Sequence, residues 1–256
     1  MAIETNTETQ SSQSVWIEDV WEPPMPPTDL IFDDDEPLKS NRHRIAMNTL
    51  IRSLQQAWCD RNDFFTGGNM FIYYSSTQAR NRDFRGPDFF VVLGVENRPR
   101  RSWMLWAEQG KYPHVIIELL SNSTAKVDKG FKKTLYQDTF RTPEYFWFHP
   151  ETLEFQGFHL MGGQYQPLEP NAQGRLWSQQ LELFLGVHSS QLRFFTPENQ
   201  LVSTPEERAE IAQQQAETAQ QQAQAERRQR ELAQQQVEEL RARLKELGVE
   251  PDVPEQ

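Results

Sequence analysis

Residues 86–95, GPDFFVVLGV, are a turn followed by an apolar run of strand length, and residues 112–121, YPHVIIELLS, repeat the pattern. Each stretch contains one acidic residue, Asp88 in the first and Glu118 in the second. Continuous apolar runs that are bounded by turn residues are typical of strands buried on both faces. The two stretches therefore predict two buried strands, each with a single carboxylate inside it.

A carboxylate in a strand that is packed on both faces must be paired, protonated or bound to a cation, because burying an unpaired ion is costly. If the two strands are neighbours and bring Asp88 and Glu118 within about 4 Å, the repulsion between them is on the order of 4 kcal/mol at an effective dielectric constant of about 20. A divalent cation removes this cost. Sites made of oxygen ligands alone favour Mg²⁺ or Mn²⁺ over zinc.

The residues after Glu118 add a positive charge. Residues 121–124, SNST, form a predicted turn and helix cap. The helix that follows carries Asp128, Lys132 and Tyr136 at positions i, i+4 and i+8, which lie on one face. We expect Lys132 to reach back toward the carboxylates, where its ammonium orients water or stabilises charge on a phosphate. Asp128 is expected to cap the helix or position another residue, and Tyr136 to pack or to orient Lys132.

These motifs occur in an order that resembles a known family. Pro87-Asp88, Glu118 in IIELLS, the helical face just described and PEYFWF at residues 143–148 resemble the Uma2 family of restriction endonucleases, within the PD-(D/E)XK nuclease superfamily. The resemblance covers roughly residues 43–185. It implies an α/β fold, with a restriction-endonuclease-like mixed β-sheet flanked by helices.

The resemblance also implies roles for individual residues. Asp88 and Glu118 would be metal ligands, with the carbonyl of Leu119 as a third, and Lys132 would assist catalysis. The lysine of the superfamily normally stands two residues after the second acid, where this chain has Leu120. Lys132 is therefore expected to be a relocated catalytic lysine.

Composition limits the classes of protein to which the chain can belong. Its 256 residues are 37% hydrophobic and 25% charged, which suits one domain of roughly 150 residues with extensions. No apolar stretch reaches the roughly 18 to 20 residues of a membrane helix, and the N-terminus does not resemble a signal peptide. The single cysteine, Cys59, permits no internal disulfide. We expect a soluble, cytoplasmic protein.

The charge is distributed unevenly along the chain. The net charge of −11 opposes nucleic-acid binding at first sight, because phosphate contacts rely on lysine and arginine. Residues 1–38, however, contain ten acidic residues and no lysine or arginine, and the segment 39–204 has a net charge of +4. The predicted catalytic domain is therefore mildly basic, which permits DNA binding.

The chain divides into four predicted segments. These are an acidic, proline-rich and largely disordered arm at 1–38, a nuclease-like domain at 39–204, a long helix at 205–248 and a disordered tail at 249–256. Within the domain, the patterns predict a helix at 40–60, a turn at 62–66 and a first strand at 69–74. They also predict a buried strand at 144–148 and then a hairpin. Arginines at 80, 82 and 85 suit contacts with phosphates, although a solvated loop explains them equally well.

The long helix has a heptad pattern. Two sets of positions recur every seven residues: Ala209, Ala216, Ala223, Arg230, Val237 and Leu244, then Ala212, Ala219, Glu226, Ala233, Leu240 and Leu247. Such a seam favours a coiled-coil-like homodimer through this helix, with a solvated single helix as the alternative. The four large apolar residues near its end are expected to supply most of the association.

The function that these features favour is metal-dependent hydrolysis of DNA phosphodiester bonds, with Mg²⁺ or Mn²⁺ as the cofactor. The alternatives are a catalytically inactive nuclease-fold protein that binds DNA, and an oligomerising adaptor whose long helix is the working part. Metal binding distinguishes the first possibility from the other two.

Overall fold

The computed structural model describes residues 41–75 and 84–248. The predicted arm at 1–38, Arg80, Arg82 and the predicted tail at 249–256 lie outside the described residues. Within the described part, no helix is both long and apolar enough to cross a membrane.

The apolar runs of the sequence form the centre of a mixed sheet. The six strands lie in the order β1 (Phe64–Gly67), β4 (Phe89–Leu93), β6 (Val115–Leu119), β7 (Glu144–Phe148), β8 (Phe155–Met161) and β9 (Gln164–Pro167). Strands β6 and β7 are parallel and the other neighbours are antiparallel. The predicted α/β architecture with a mixed sheet flanked by helices is confirmed.

Two small sheets accompany the main one. The first joins β2 (Ile72–Tyr73), β3 (Phe84–Arg85) and β5 (Trp103–Met104), and the second joins β10 (Leu176–Ser178), β11 (Leu183–His188) and β12 (Gln191–Phe195). A short 3₁₀ turn, Leu105–Ala107, follows β5.

Helices cover the two faces of the main sheet. Helix α1 (Asn41–Ala57) packs its apolar stripe, which includes Leu50 and Leu54, on one face together with the second small sheet. The other face is covered by a segment built from α2 (Ala125–Val127), a π-helical turn (Asp128–Lys132) and α3 (Lys133–Asp138). Helix α4 (Pro205–Glu246) follows the last strand. Glu118, buried within a central strand, lies on the same face as the π-helical segment, because side chains alternate along a strand.

The first strand was placed wrongly by the sequence pattern. Residues 62–66 were expected to form a turn, but Phe64–Gly67 is an edge strand that pairs with β4, with Phe64 opposite Leu93. The predicted strand at 69–74 is reduced to Ile72–Tyr73, in a separate sheet. A four-residue edge strand that ends in glycine has too little alternation to be distinguished from a turn, and its partner lies far along the chain. The predicted helix at 40–60, the strand at 144–148 and the following hairpin are confirmed.

A buried carboxylate at the start of β7 connects the main sheet to the β10 loop. Glu144 accepts hydrogen bonds from the hydroxyl of Ser178 and from the backbone N–H groups of Gln179, at 2.7 Å, and Gln180, at 3.3 Å. Burial raises the pKa of the Glu144 carboxyl, and these three donors act in the opposite direction. The carboxylate therefore holds together two parts of the chain that are distant in sequence.

We expect Glu144→Ala to lower the free energy of unfolding by about 2 to 4 kcal/mol, because it leaves buried donors without an acceptor. Chemical denaturation followed by fluorescence measures the change. Glu169→Ala, which removes an exposed carboxylate, is the matched control and should alter stability by less than about 0.5 kcal/mol. Equal stability of the two variants would contradict this role of Glu144.

Candidate active site

Strand register brings the two acids of the buried strands together. Phe89 of β4 lies opposite Ile117 of β6, so the next pair along these antiparallel strands is Asp88 and Glu118. Directly opposed residues have Cβ atoms about 4.5 to 5.5 Å apart. Both residues are buried, with Asp88 7% exposed and Glu118 fully buried.

Asp88 is held by one contact at each oxygen. Its Oδ1 lies 2.7 Å from Nε2 of His43 on α1, and its Oδ2 accepts the backbone N–H of Leu119 at 2.8 Å. Burial by itself would raise the pKa of Asp88, but the hydrogen bond from His43 and the positive charge of Lys132 hold the pKa below its usual range. Asp88 is therefore an ionised carboxylate in a fixed orientation.

The two carboxylate oxygens of Glu118 differ in their contacts: one has two polar partners and the other has none among the described residues. Tyr136 donates its hydroxyl to Oε1 at 2.8 Å, and Nζ of Lys132 lies 3.1 Å from the same oxygen. The other oxygen, Oε2, is buried and has no hydrogen-bond partner among the described residues. Burial, reinforced by the negative charges of Asp88 and Asp128, raises the pKa of Glu118 to about 8 even though Lys132 opposes the shift.

The π-helical turn places a third carboxylate beside the lysine. Asp128 is fully buried, and its Oδ1 lies 2.8 Å from Nζ of Lys132. Tyr145 of β7 fixes the turn by donating its hydroxyl to the carbonyl of Asp128 at 2.9 Å. Burial would lower the pKa of Lys132, but the charges of Glu118, Asp128 and Asp88 outweigh it and raise the pKa. Lys132 is therefore a firmly charged ammonium at neutral pH.

The charges at this site do not balance. Three carboxylates, those of Asp88, Glu118 and Asp128, surround the ammonium of Lys132. One oxygen of Glu118 and Oδ2 of Asp128 have no hydrogen-bond donor in the described part of the chain. A proton on Glu118 or a bound cation would relieve the excess negative charge, and the oxygens without a partner are the hard donor atoms that Mg²⁺ and Mn²⁺ prefer.

The side chains alone do not form a complete metal cage. No group of three or more His, Cys, Asp or Glu residues among those described is arranged to hold a metal ion. A cation at Asp88 and Glu118 would need a further oxygen from the backbone or from solvent. The backbone of Leu119 lies close to Asp88, because its N–H donates to Oδ2 of Asp88. The carbonyl of the same residue is therefore the nearest candidate for this oxygen.

The site is accessible from one side. The side chain of Lys132 is 17% exposed and that of Asp88 is 10% exposed. A cleft opens beside His43, the partner of Asp88, between the start of α1 and the loops after β6 and β7. Its lining includes Arg42, His43, Leu120, Ser121, Asn122 and His149.

The structure thus brings together Asp88, Glu118 and Lys132, the three residues singled out from the sequence. Leu120, at the position where the superfamily has its lysine, is buried in the apolar cluster on the same face of the sheet. Asp128 pairs with the lysine, which agrees with its expected positioning role. Tyr136 packs in the apolar cluster, as one of its two expected roles required, and its hydroxyl bonds to Glu118.

Sequence reasoning missed His43. It belongs to the buried stripe of α1, with the apolar residues Met47, Leu50 and Leu54 at helical spacing. A polar residue in such a stripe needs a buried partner, and this signal was available in the sequence. What the sequence did not contain was the identity of the partner, because Asp88 is 45 positions further along the chain.

Comparisons with known proteins give one family and a distant structural likeness. The family model Uma2, described as "Putative restriction endonuclease", matches residues 34–191. A crystal structure of a putative nuclease belonging to DUF820 from Anabaena variabilis ATCC 29413 is 14% identical, with a TM-score of 0.42. That match covers 59% of this chain and 80% of that chain. The search of curated proteins found no match.

Proposed function

The chain belongs to the Uma2 family, whose model is described as "Putative restriction endonuclease", and from the buried charges of its candidate site we propose that it is a divalent-metal-dependent endonuclease that hydrolyses DNA. The observation that carries the proposal is the unsatisfied Oε2 of Glu118, buried beside Asp88 in a cluster that has more carboxylates than cations. A protein gains nothing in stability from this arrangement, since such groups are costly when unpaired.

Asp88, Glu118 and the carbonyl of Leu119 would hold the metal. Mg²⁺ or Mn²⁺ bound there would act as a Lewis acid on the phosphate and make water a better nucleophile. The chain's own residues prepare the site: His43 and the N–H of Leu119 fix both oxygens of Asp88, and Tyr136 fixes Oε1 of Glu118. Binding the metal would displace the proton that the raised pKa of Glu118 favours.

Lys132 would stabilise negative charge that develops on the phosphate. Its pKa is raised by the neighbouring carboxylates, so it acts as a permanent cation and not as a general base. Asp128 would keep this ammonium next to Glu118 through the 2.8 Å contact. The relocated lysine therefore supplies its positive charge next to Glu118 from the π-helical turn, whereas the lysine of the superfamily lies on the same strand as the second acid.

DNA is the proposed substrate. The family description names restriction endonucleases, and the segment 39–204 has a net charge of +4. Arg42, an exposed residue that lines the cleft beside His43, would contact a phosphate of the bound strand. In contrast, Arg98 and Arg100 in the loop between β4 and β5 are both paired with Glu108, so they do not support the proposal.

Cleavage of supercoiled plasmid in Mg²⁺ or Mn²⁺ tests the proposal. Wild type should nick or linearise the plasmid only with metal. Asp88→Ala, Glu118→Ala and Lys132→Ala, purified in parallel, should each lose the activity. Equal residual cleavage by wild type and all three variants would identify a contaminant, and the chain would then be an inactive nuclease-fold protein that binds DNA.

His43→Ala should raise the Mn²⁺ concentration needed for half-maximal cleavage by about 10- to 100-fold, with a smaller effect on the rate at saturating metal. The reason is that residues which orient metal ligands contribute about this much to metal affinity. Titration with Mn²⁺, followed by both cleavage and thermal shift, separates the two quantities. His43→Gln should restore part of the affinity, because its amide can still donate to Asp88.

Arg44→Ala is the control for this prediction, since Arg44 is exposed on the same helix and bonds to the side chain of Asn41. If the His43 and Arg44 variants require the same metal concentration, His43 has only a structural role.

We also propose that the chain self-associates through α4. The heptad seam predicted from the sequence lies on a helix of 42 residues that has no buried residue in the described chain. An exposed seam of this kind is expected to be covered in solution.

A further inference from the structure

The first turn of helix α4 is anchored to the domain by a capping box and two ion pairs. Thr204 and Glu207 form a reciprocal capping box at its start, and Arg193 of β12 pairs with Glu207 at 2.6 Å. Arg52 of α1 pairs with Glu206. From residue 208 to residue 243 every residue is exposed, so the direction of the helix is set by its first turn alone, and its seam is open to a partner.

The residues of the seam differ in size between the two halves. The five seam positions before residue 226 are all alanine, whereas the last four, from residue 237 onward, are Val237, Leu240, Leu244 and Leu247. Two opposite charges, Glu226 and Arg230, stand between the halves. Val237, Leu240 and Leu247 are among the largely exposed apolar residues of the structure.

We propose that α4 pairs with α4 of a second copy of this chain in an antiparallel orientation, about a two-fold axis at position 228. In an antiparallel pair, each residue of one heptad set faces a residue of the other set. With the axis at 228, every alanine before the axis meets a seam residue from the other half. The layers are Ala209 with the partner's Leu247, Ala212 with the partner's Leu244, Ala216 with the partner's Leu240, Ala219 with the partner's Val237, and Ala223 with the partner's Ala233.

The charged residues fit the same register. With this axis, Glu226 faces the partner's Arg230, and the symmetry repeats the contact, so opposite charges meet twice at the centre. Within one helix the same two side chains are only weakly associated, at 3.9 Å and both largely exposed. They are therefore free to pair between chains.

A parallel pair has neither advantage. In a parallel arrangement each residue faces its own copy, so Glu226 meets the partner's Glu226 and Arg230 meets the partner's Arg230, which is repulsive. The first half of the seam then consists of alanine against alanine, which buries little apolar surface. The positions that flank the seam are mostly glutamine, so they contribute little charge to favour either orientation.

Disulfide cross-linking tests the orientation and register in the full-length protein. Cys59, which is exposed, is first changed to serine. Ala216→Cys and Leu240→Cys are then made separately in this background, mixed under reducing conditions and oxidised. The antiparallel pair predicts covalent dimers mainly in the mixture. Covalent dimers that form equally well in each variant alone, which is the parallel result, would overturn the proposal, as would a mass of 30.0 kDa by light scattering, which is that of a monomer.

Charge reversal at the centre provides the second test. Glu226→Lys should weaken dimerisation by about tenfold or more, because it places two cations opposite each other at both central contacts. Adding Arg230→Glu should restore dimerisation. Glu238→Lys changes the charge equally but lies outside the seam, and it should leave the dimer intact. In a parallel dimer, Glu226→Lys replaces a facing pair of glutamates with a facing pair of lysines, so it should change the dissociation constant as little as Glu238→Lys does. Equal effects of the two substitutions on the dissociation constant would therefore refute the antiparallel pairing.

Discussion

Glu118→Gln should reduce metal-dependent plasmid cleavage by about 10³-fold or more while leaving the free energy of unfolding of the metal-free protein unchanged or higher. The amide keeps an acceptor for Tyr136 and Lys132, and it removes a carboxylate whose pKa burial raises to about 8. It also removes one of the two anionic ligands proposed for the metal. The expected result is therefore a protein that folds as well as wild type and does not cleave.

Two measurements on the same samples check this prediction. Cleavage rates give the loss of activity, and denaturation in chelator and in excess Mn²⁺ gives the stability with and without the ion. The free energy of unfolding of wild type should rise by about 2.7 kcal/mol at a metal concentration 100 times the dissociation constant of the metal. The free energy of unfolding of Glu118→Gln should rise much less. Glu154→Gln, which alters a surface carboxylate paired with Lys129, should behave as wild type. Full activity of Glu118→Gln would exclude Glu118 as a ligand.

Lys132→Met should lower the free energy of unfolding of the metal-free protein by about 3 to 5 kcal/mol, because removing one member of a buried ionic cluster leaves its partners uncompensated. Two carboxylates, on Glu118 and Asp128, lose the same cation. Methionine preserves most of the side-chain volume, so a cavity does not account for the loss. Urea denaturation in the presence of chelator measures it.

The pH dependence gives this prediction a second readout. Without the lysine, the pKa of Glu118 in the folded protein should rise further above its value in the unfolded chain, near 4.5. A carboxyl group with a raised folded pKa destabilises the fold increasingly as the pH climbs from the unfolded to the folded value. Below the wild-type folded pKa of about 8, Glu118 keeps its proton in both folded proteins and both lose stability in parallel, so the deficit of Lys132→Met relative to wild type should widen as the pH rises from about 7 to about 9.

Lys129→Met is the matched control. Lys129 lies on the same π-helical turn, but its partner Glu154 is partly exposed, and exposed ion pairs contribute about 0 to 1 kcal/mol. Losses of similar size in the two variants would mean that the buried cluster has no special role in stability.

The sequence predicted the parts of the site that depend on local pattern. Two apolar runs with one acid each identified Asp88 and Glu118, and helical spacing placed Lys132 on the correct face. The π-helical turn does not disrupt the predicted i, i+4 spacing, because Asp128 and Lys132 are in contact. These features depend on residues close together in the chain, where periodicity is informative.

The parts that were missed depend on distant residues. The segment that was expected to be a turn is a strand because Phe64 pairs with Leu93. The contact of His43 with Asp88 likewise joins a helix to a residue beside a strand 45 positions away. The unsatisfied oxygen of Glu118 likewise becomes evident only when every neighbour is in place. Neither register nor the partner of a buried polar group is specified by local propensity.

The length of α4 determines what a dimer of this kind would do to DNA. A helix of 42 residues is about 63 Å long, and the proposed antiparallel pair would hold the two folded domains at opposite ends of it. On straight duplex DNA this distance corresponds to about 18 base pairs at about 3.4 Å each. Two cuts by one dimer would then release or bracket a short segment instead of severing both strands at one point. Such paired breaks should appear as a preferred spacing in the mapped ends of the products.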